Sequence, residues 1–199
     1  MTPPAHRPLG RDFYARPADE VAPELLGAVI SHGVRRARIV EVEAYGGEGE
    51  DPASHAHRGL TPRTASMFGP AGRLYVYLSY GMHWCANVVT GNDGEGSAVL
   101  LRAAEVVDGI EVVRLARPAA RSDAELLRGP GNLARGLGLT RDHDGMDLTG
   151  TEKTLWLEGA AGTAEPVIVT SRIGISRATD RPWRWFLEGS PAVSGRRAK

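Results

Sequence analysis

Residues 73–89 read Arg-Leu-Tyr-Val-Tyr-Leu-Ser-Tyr-Gly-Met-His-Trp-Cys-Ala-Asn-Val-Val. Two aromatic and β-branched limbs hinge on Gly81, so a chain carrying this stretch is committed to a β-hairpin with limbs at Gly72–Leu78 and His83–Thr90. A turn signal at Gly91–Gly94 and an almost wholly apolar run from Ser97 to about Val107 add a third strand. Three of the five tyrosines and the one cysteine lie in this hairpin. A strand that only filled a core would seldom crowd Tyr75, Tyr77 and Tyr80 together, because each buried hydroxyl needs a hydrogen-bond partner. Aromatic faces with polar edges suit flat ligands. The competing reading is a packed hairpin with tyrosines at its rim, and this stretch alone does not separate the two.

Around the hairpin the pattern predicts an α+β fold: a single compact domain with a curved, mostly antiparallel sheet, short flanking helices and the hairpin protruding. The expected bounds are a flexible N-terminal tail over 1–12, one domain over 13–195 and a C-terminal tail over 196–199. Strands are expected at Ala28–His32 and Val34–Ala44, then near Leu155–Leu157, Val167–Val169 and Ile173–Ile175, with Trp183–Leu187 closing the core. Helices are expected within Arg16–Gly27, with Pro23 restricting the first turn to the region after it, and from Thr61-Pro62 through Met67, where Thr61 suits an N-cap. Further helices are expected at Gly109–Arg117, Asp123–Arg128 and Leu133–Leu139. Gly46–Gly59 has no periodicity and reads as a long loop.

No apolar run has signal-peptide or membrane-span length, so a cytoplasmic protein, in the bacterial cytosol, is expected with no membrane contact. Cys85 stands alone, which excludes an internal disulfide framework and points to inert core. The formal net charge is zero, which argues against a strongly basic nucleic-acid binder. The distribution is less even: residues 41–51 hold five acids and no base, whereas 114–141 hold six arginines against Asp123 and Glu125. Only Lys153 and Lys199 are lysines; the remaining cations are arginines, the better fork for phosphate.

Four features converge: Glu43 at a strand end beside Tyr45, a loop bearing His55 and His57, the tyrosine hairpin, and Arg102, charged where the strand pattern predicts burial. A carboxylate near a guanidinium stays ionised and can orient and deprotonate water. Duller readings compete: a solvated acid at Glu43, a strand-pinning Arg102, and Tyr75 facing away from any pocket as scaffold with Cys85. His55 and His57 have a spacing common outside metal sites and no evident third ligand, so neither a metal nor an organic cofactor is expected. Glu41 and Glu43 share a strand face as a glycoside hydrolase pair would, but no sugar-site motif accompanies them.

With Glu41-Val42-Glu43-Ala44-Tyr45, Asp51-Pro52-Ala53-Ser54-His55, Thr61-Pro62-Arg63, Leu74-Tyr75-Val76-Tyr77 through Tyr80-Gly81-Met82 to Asn87, Leu100-Leu101-Arg102-Ala103, Gly129-Pro130-Gly131 and Gly189-Ser190-Pro191 in order, the chain closely resembles the alkyladenine or 3-methyladenine DNA glycosylase family. The resemblance implies a monomer acting on double-stranded DNA that contains damaged purines. It implies that Glu43 is the general base, that Arg102 orients it, and that Tyr45, His55 and Tyr77 clamp a flipped purine. It further implies that Asn87 checks for the guanine amine, that Tyr80 enters the duplex as a wedge with Met82 beside it, and that Arg63, Gly131 and Asn132 meet phosphates. Two departures bear on DNA affinity: Asn132 stands where the family usually has Lys, and Thr64 where it usually has Asn. Without a suitable lysine nucleophile, no Schiff-base strand cleavage is expected. The alternative is a non-catalytic damaged-DNA or RNA binding module using the same aromatic hairpin.

Overall fold

The computed structural model describes residues 8–150, 154–159 and 163–195. Its centre is β2 (Arg35–Tyr45), a strand of 11 residues in which Ala37, Ile39, Val42 and Ala44 are buried in the core while its backbone takes partners on both edges. One edge pairs along its length with β5 (Ser97–Asp108). The other edge is divided: Arg35–Arg38 pair with β1 (Val29–His32), and Glu41–Glu43 pair with β8 (Arg184–Leu187). The hairpin of β3 (Leu74–Ser79) and β4 (His83–Thr90) joins through β4 to β5. Beyond β1 lies β6 (Leu155–Glu158), and beyond β8 lies β7 (Val167–Thr170). Every pairing is antiparallel, and the register of β2 against β5 slips between Ile39 and Val42, the kind of bulge that bends a strand. The resulting single, curled antiparallel sheet with short helices is the expected α+β architecture.

Among the described residues, five short α-helices cover it: α1 (Arg11–Tyr14), α2 (Ala18–Glu24), α3 (Ile110–Ala116), α4 (Asp123–Leu126) and α5 (Pro130–Leu137). From α2, Val21 and Ala22 join Ile39, Val40 and Leu101 in the main core, which Leu133 and Leu137 of α5 also enter. Each buried valine, isoleucine or leucine among them contributes about 1.5–3 kcal/mol through burial. A smaller cluster of Ala56, Met67, Tyr75, Val89 and Ala98, with Tyr45 and Tyr77 packed on it, lies beneath the hairpin.

Four local expectations are corrected. The α2 helix lies before Pro23 rather than after it, ending one residue later at Glu24. Thr61 does not open an α-helix: its hydroxyl bonds Thr64, closing a single turn, and only the 3-10 segment Ala65–Phe68 follows. Ile173–Ile175 is no strand, because the Ile173 N–H donates to Glu43 and Gly174 has φ +76°. Of the expected flexible stretch over 1–12, the described residues 8–12 are tied to the domain. Pro8 bridges to Glu158, the Leu9 N–H donates to the Leu157 carbonyl, and Arg11 pairs with Asp147; residues 1–7 and 196–199 lie outside the described residues.

Candidate active site

The strand period of two puts Glu41 and Glu43 on one face of β2, and both are completely buried. Desolvation on that scale is tolerated only when the carboxylates are paired and hydrogen-bonded. Glu43 Oε1 accepts the Ile173 N–H at 2.7 Å, and Oε2 accepts from the Tyr45 hydroxyl at 2.9 Å and from Arg102 Nη1 at 3.1 Å. Arg102, on β5 and 7 % exposed, also donates from Nε to Glu41 Oε1 at 2.9 Å. Burial raises the pKa of Glu43 above the ordinary carboxylate value, with Arg102, the Ile173 N–H and the Tyr45 hydroxyl opposing the shift. Arg102 favours the ionised form, as its position in the sequence suggests, while desolvation is the larger influence and leaves the residue the more basic for it.

Beside this carboxylate lies a cavity of about 550 Å³ lined by Tyr45, His55, Tyr75, Tyr77, Asn87 and Arg102, with Tyr80 at its edge. Glu43 sits directly behind the lining, enclosed by Tyr45, Arg102 and Ile173, all three of which face the cavity. The rings of Tyr75 and Tyr77 stack with centroids 5.5 Å apart, and His55 stands edge-on to Tyr77 at 4.5 Å. His55 Nδ1 hydrogen-bonds the Tyr75 hydroxyl at 3.0 Å. Burial among these walls and the nearby Arg63 push the His55 imidazole down to about 4, so the ring is neutral at pH 7. Asn87, opposite Tyr75 across the hairpin, donates its amide to the Tyr75 carbonyl at 3.1 Å.

Tyr75 and Cys85 are buried, as the scaffold reading expects, but that reading's placement of Tyr75 away from the pocket is corrected. Tyr75 and Tyr77 are two apart on one strand, so they share a face, and both line the cavity. Cys85 pairs across from Tyr77 and lines it too, its thiol pKa pushed up by burial.

Not every expected residue joins the cavity. Arg63 does: its guanidinium lies 5.5 Å from the Tyr77 ring centroid. Tyr80 and Met82 project from the hairpin tip, 86 % and 71 % exposed. Gly131 and Asn132 lie in the first turn of α5, where Asn132 gives its side-chain amide to the Arg128 carbonyl at 2.7 Å. A second concavity of about 340 Å³ shares Ala53, His55, Gly174 and Ile175 with the first and adds His57, Arg58 and Arg177.

Sequence reasoning missed the residues that wire this site together. Arg184 donates from Nε to Glu41 Oε1 at 2.7 Å; like Arg102, it is a charge inside an apolar strand, the one signal that could have exposed it. Arg172 forms a buried two-pronged pair with Asp51, bonds the Ala44 carbonyl, and lies 4.7 Å from the Tyr45 ring centroid. Asp51 in turn accepts the Gly46 and Ala53 N–H groups, so one ion pair ties together the loop that carries His55, the Tyr45 wall and the segment that bonds Glu43. Chemically, the arrangement offers a desolvated carboxylate and a guanidinium next to an aromatic slot with a neutral imidazole.

The family model described as Methylpurine-DNA glycosylase (MPG) matches residues 12–191. Relatives named "Putative 3-methyladenine DNA glycosylase" include one from Nocardia farcinica, 55% identical over 88% of this chain and 85% of its own. One from Frankia casuarinae is 52% identical over 96% and 93%, and one from Burkholderia lata 49% identical over 94% and 91%. With a match spanning both the carboxylate network and the aromatic slot, the chain belongs to the methylpurine-DNA glycosylase family.

Proposed function

We propose that the protein excises alkylated or deaminated purines from double-stranded DNA, of the 3-methyladenine, 7-methylguanine, hypoxanthine and ethenoadenine class, by hydrolysing the N-glycosidic bond and leaving an abasic site. The observation that carries this reading is the juxtaposition of Glu43 and Arg102 with a cavity walled by Tyr45, Tyr75, Tyr77 and His55. A base inside a duplex cannot reach such a slot, so the nucleotide must be turned out of the stack, at a cost of a few kcal/mol. Aromatic stacking returns roughly 1–3 kcal/mol per base contact, so two or three walls suffice. Cationic alkylpurines gain a further cation–π attraction to the ring faces, and a neutral His55 does not repel them.

In this reading Glu43 accepts a proton from a water that attacks C1′ as the base departs, and Arg102 keeps the carboxylate ionised and aimed. Tyr80 fills the space left in the duplex, Met82 flanks it, and Asn87 tests the purine edge. Arg63, with Arg58 and Arg177 of the adjoining concavity, meets the phosphates next to the extruded nucleotide; neither cavity lining contains a carboxylate. Gly131 and Asn132 have a smaller part, since the Asn132 amide is already engaged. The reaction needs no metal or organic cofactor and proceeds in the cytoplasm on a monomer. Lys153 and Lys199, the lysines a strand-cleaving mechanism would draw on, lie outside the described residues; borohydride should trap no adduct with lesion DNA.

The complete enclosure of Glu43 favours a second reading, a non-catalytic binder of damaged DNA. Glu43→Gln separates the two. In the enzyme it lowers base release by roughly 100-fold or more, the usual scale of a general base, and leaves lesion binding intact. Base release at the parent rate would overturn the catalytic reading.

A further inference from the structure

We propose that Ser194, together with Glu41 and Arg184, is a positioning residue for the Glu43 base, so that the final segment of the domain completes the active site. The family model ends at residue 191, three residues short of this serine. Yet all three polar atoms of Ser194 enter the buried network, through four hydrogen bonds. Its N–H donates to Glu41 Oε2 at 2.6 Å and its hydroxyl to Glu41 Oε1 at 3.0 Å. The same Oγ accepts from Arg102 Nη2 at 3.1 Å, and the Ser194 carbonyl accepts from Arg184 Nη2 at 2.8 Å. One hydroxyl proton and its lone pairs satisfy this set without conflict.

The consequence falls on Arg102. A guanidinium is a rigid planar fork, and here each of its three nitrogens has one anchor: Nε on Glu41, Nη2 on Ser194, Nη1 on Glu43. Two anchors on fixed groups set the plane, and the plane sets where Nη1 points. Glu41 is itself held by Arg184 and by Ser194, so the serine acts on Arg102 both directly and through the carboxylate. The segment is pinned independently: Ser190 bonds Glu105, the Ala192 N–H donates to Ser190, and Ala192 and Val193 are buried. Removing the hydroxyl therefore leaves the chain path in place while freeing one edge of the guanidinium. A loosened Arg102 stabilises ionised Glu43 less, which moves the pH at which the base takes up a proton upward.

This inference rests on the reading of Glu43 as the base. The test is single-turnover base release from a lesion duplex across pH with the full chain, its Ser194→Ala, Ser194→Cys and Ser194→Thr variants, and Glu43→Gln. Ser194→Ala is expected to be at least about tenfold slow at the acid end, to recover toward the parent rate as pH rises, and to bind the lesion duplex with unchanged affinity. Ser194→Thr, which keeps the hydroxyl, restores the parent profile. Ser194→Cys, close in size with a weaker donor, lies between and keeps the test open should the alanine variant not fold. An acid limb that does not move in Ser194→Ala or Ser194→Cys overturns the assignment, as does a rate deficit equal at all pH values. If Glu43→Gln is inactive while the serine variants match the parent, only the present inference falls. If Glu43→Gln matches the parent, the reading of the base falls with it.

Discussion

The hairpin tip offers a perturbation whose effects on stability and on activity have opposite signs. Tyr80 has φ +48° and Gly81 φ +68°, and the Met82 N–H closes the turn onto the Ser79 carbonyl at 3.0 Å. Positive φ at both central residues defines a type I′ turn, whose first central position favours Asn, Asp or Gly. An L-residue with a bulky Cβ substituent there costs about 1–2 kcal/mol. Tyr80 recovers little of that by packing, being 86 % exposed. Tyr80→Asn should therefore stabilise the fold by about 1 kcal/mol, which for a chain of this size raises Tm by about 2–4 °C. A wedge is needed only where a duplex must be kept open, so base release by the variant should fall on duplex substrate and change little on a single strand carrying the same lesion. Thermal unfolding followed by circular dichroism, alongside base release from both substrates, checks both halves. A Tm at or below the parent value would refute the strain argument, and equal losses on the two substrates would refute the wedge.

Burial raises the Glu43 pKa, so base release should fall, as pH drops, at a higher pH than an ordinary carboxylate would give; a pH–rate profile on a cationic lesion measures this. For stability the sign is opposite: a carboxyl raised in the folded state favours folding fully below its unfolded pKa, and that contribution is lost as pH rises through the folded value. At neutral pH, Glu43→Gln should accordingly raise or preserve the urea midpoint. Asp51→Asn breaks a buried pair with Arg172 and should cost about 3–5 kcal/mol, read by urea unfolding; a loss below 1 kcal/mol would show that the pair is not held as described. Arg58→Ala and Arg177→Ala should each reduce the slope of log affinity against log salt by about 1, and unchanged slopes would place the phosphates elsewhere.

What the sequence discloses here is mostly which face a residue occupies. Arg102 could be singled out because it interrupts an apolar strand, and Arg184 carries the same signal between Trp183 and Trp185. It escaped notice because a tryptophan-rich tail invites a reading as core. Period two also places Tyr75 on the Tyr77 side, so the scaffold reading of Tyr75 ran against the strand's own geometry. Partners are another matter. That β2 divides one edge between β1 and β8 depends on a bend between Ile39 and Val42, and no local pattern announces it. Ile173 acts through its backbone N–H, 130 residues from the carboxylate it bonds, and Ser194, 153 residues from Glu41, adds its backbone N–H to the bonds of its hydroxyl. Every residue but proline owns such a donor, so its use leaves no trace in side-chain identity.

The buried carboxylates explain why Glu43, rather than a neighbour, is suited to take a proton. Apart from Glu158 on the outer strand β6, the buried charged residues among those described are Glu41, Glu43 and Asp51 and the arginines Arg102, Arg172 and Arg184. They are not wired alike. Glu41 receives N–H groups from two guanidinium ions and both donors of Ser194. Asp51 receives two N–H groups from Arg172 and two from the backbone. Glu43 receives three donors, of which only Arg102 Nη1 is charged. For Asp51, burial pushes the pKa up, but Arg172 and the two backbone N–H groups outweigh it and the net shift is down. For Glu43, burial wins and the net shift is up. Two carboxylates in one interior are thus pushed apart by the balance of burial against charged and backbone donors, a pattern that fits Asp51 as a structural anion and Glu43 as the proposed base. A fourth donor on Glu43 would tie it as firmly as Asp51 and weaken it as a base, whereas without Arg102 it would hold its proton and could not act as one.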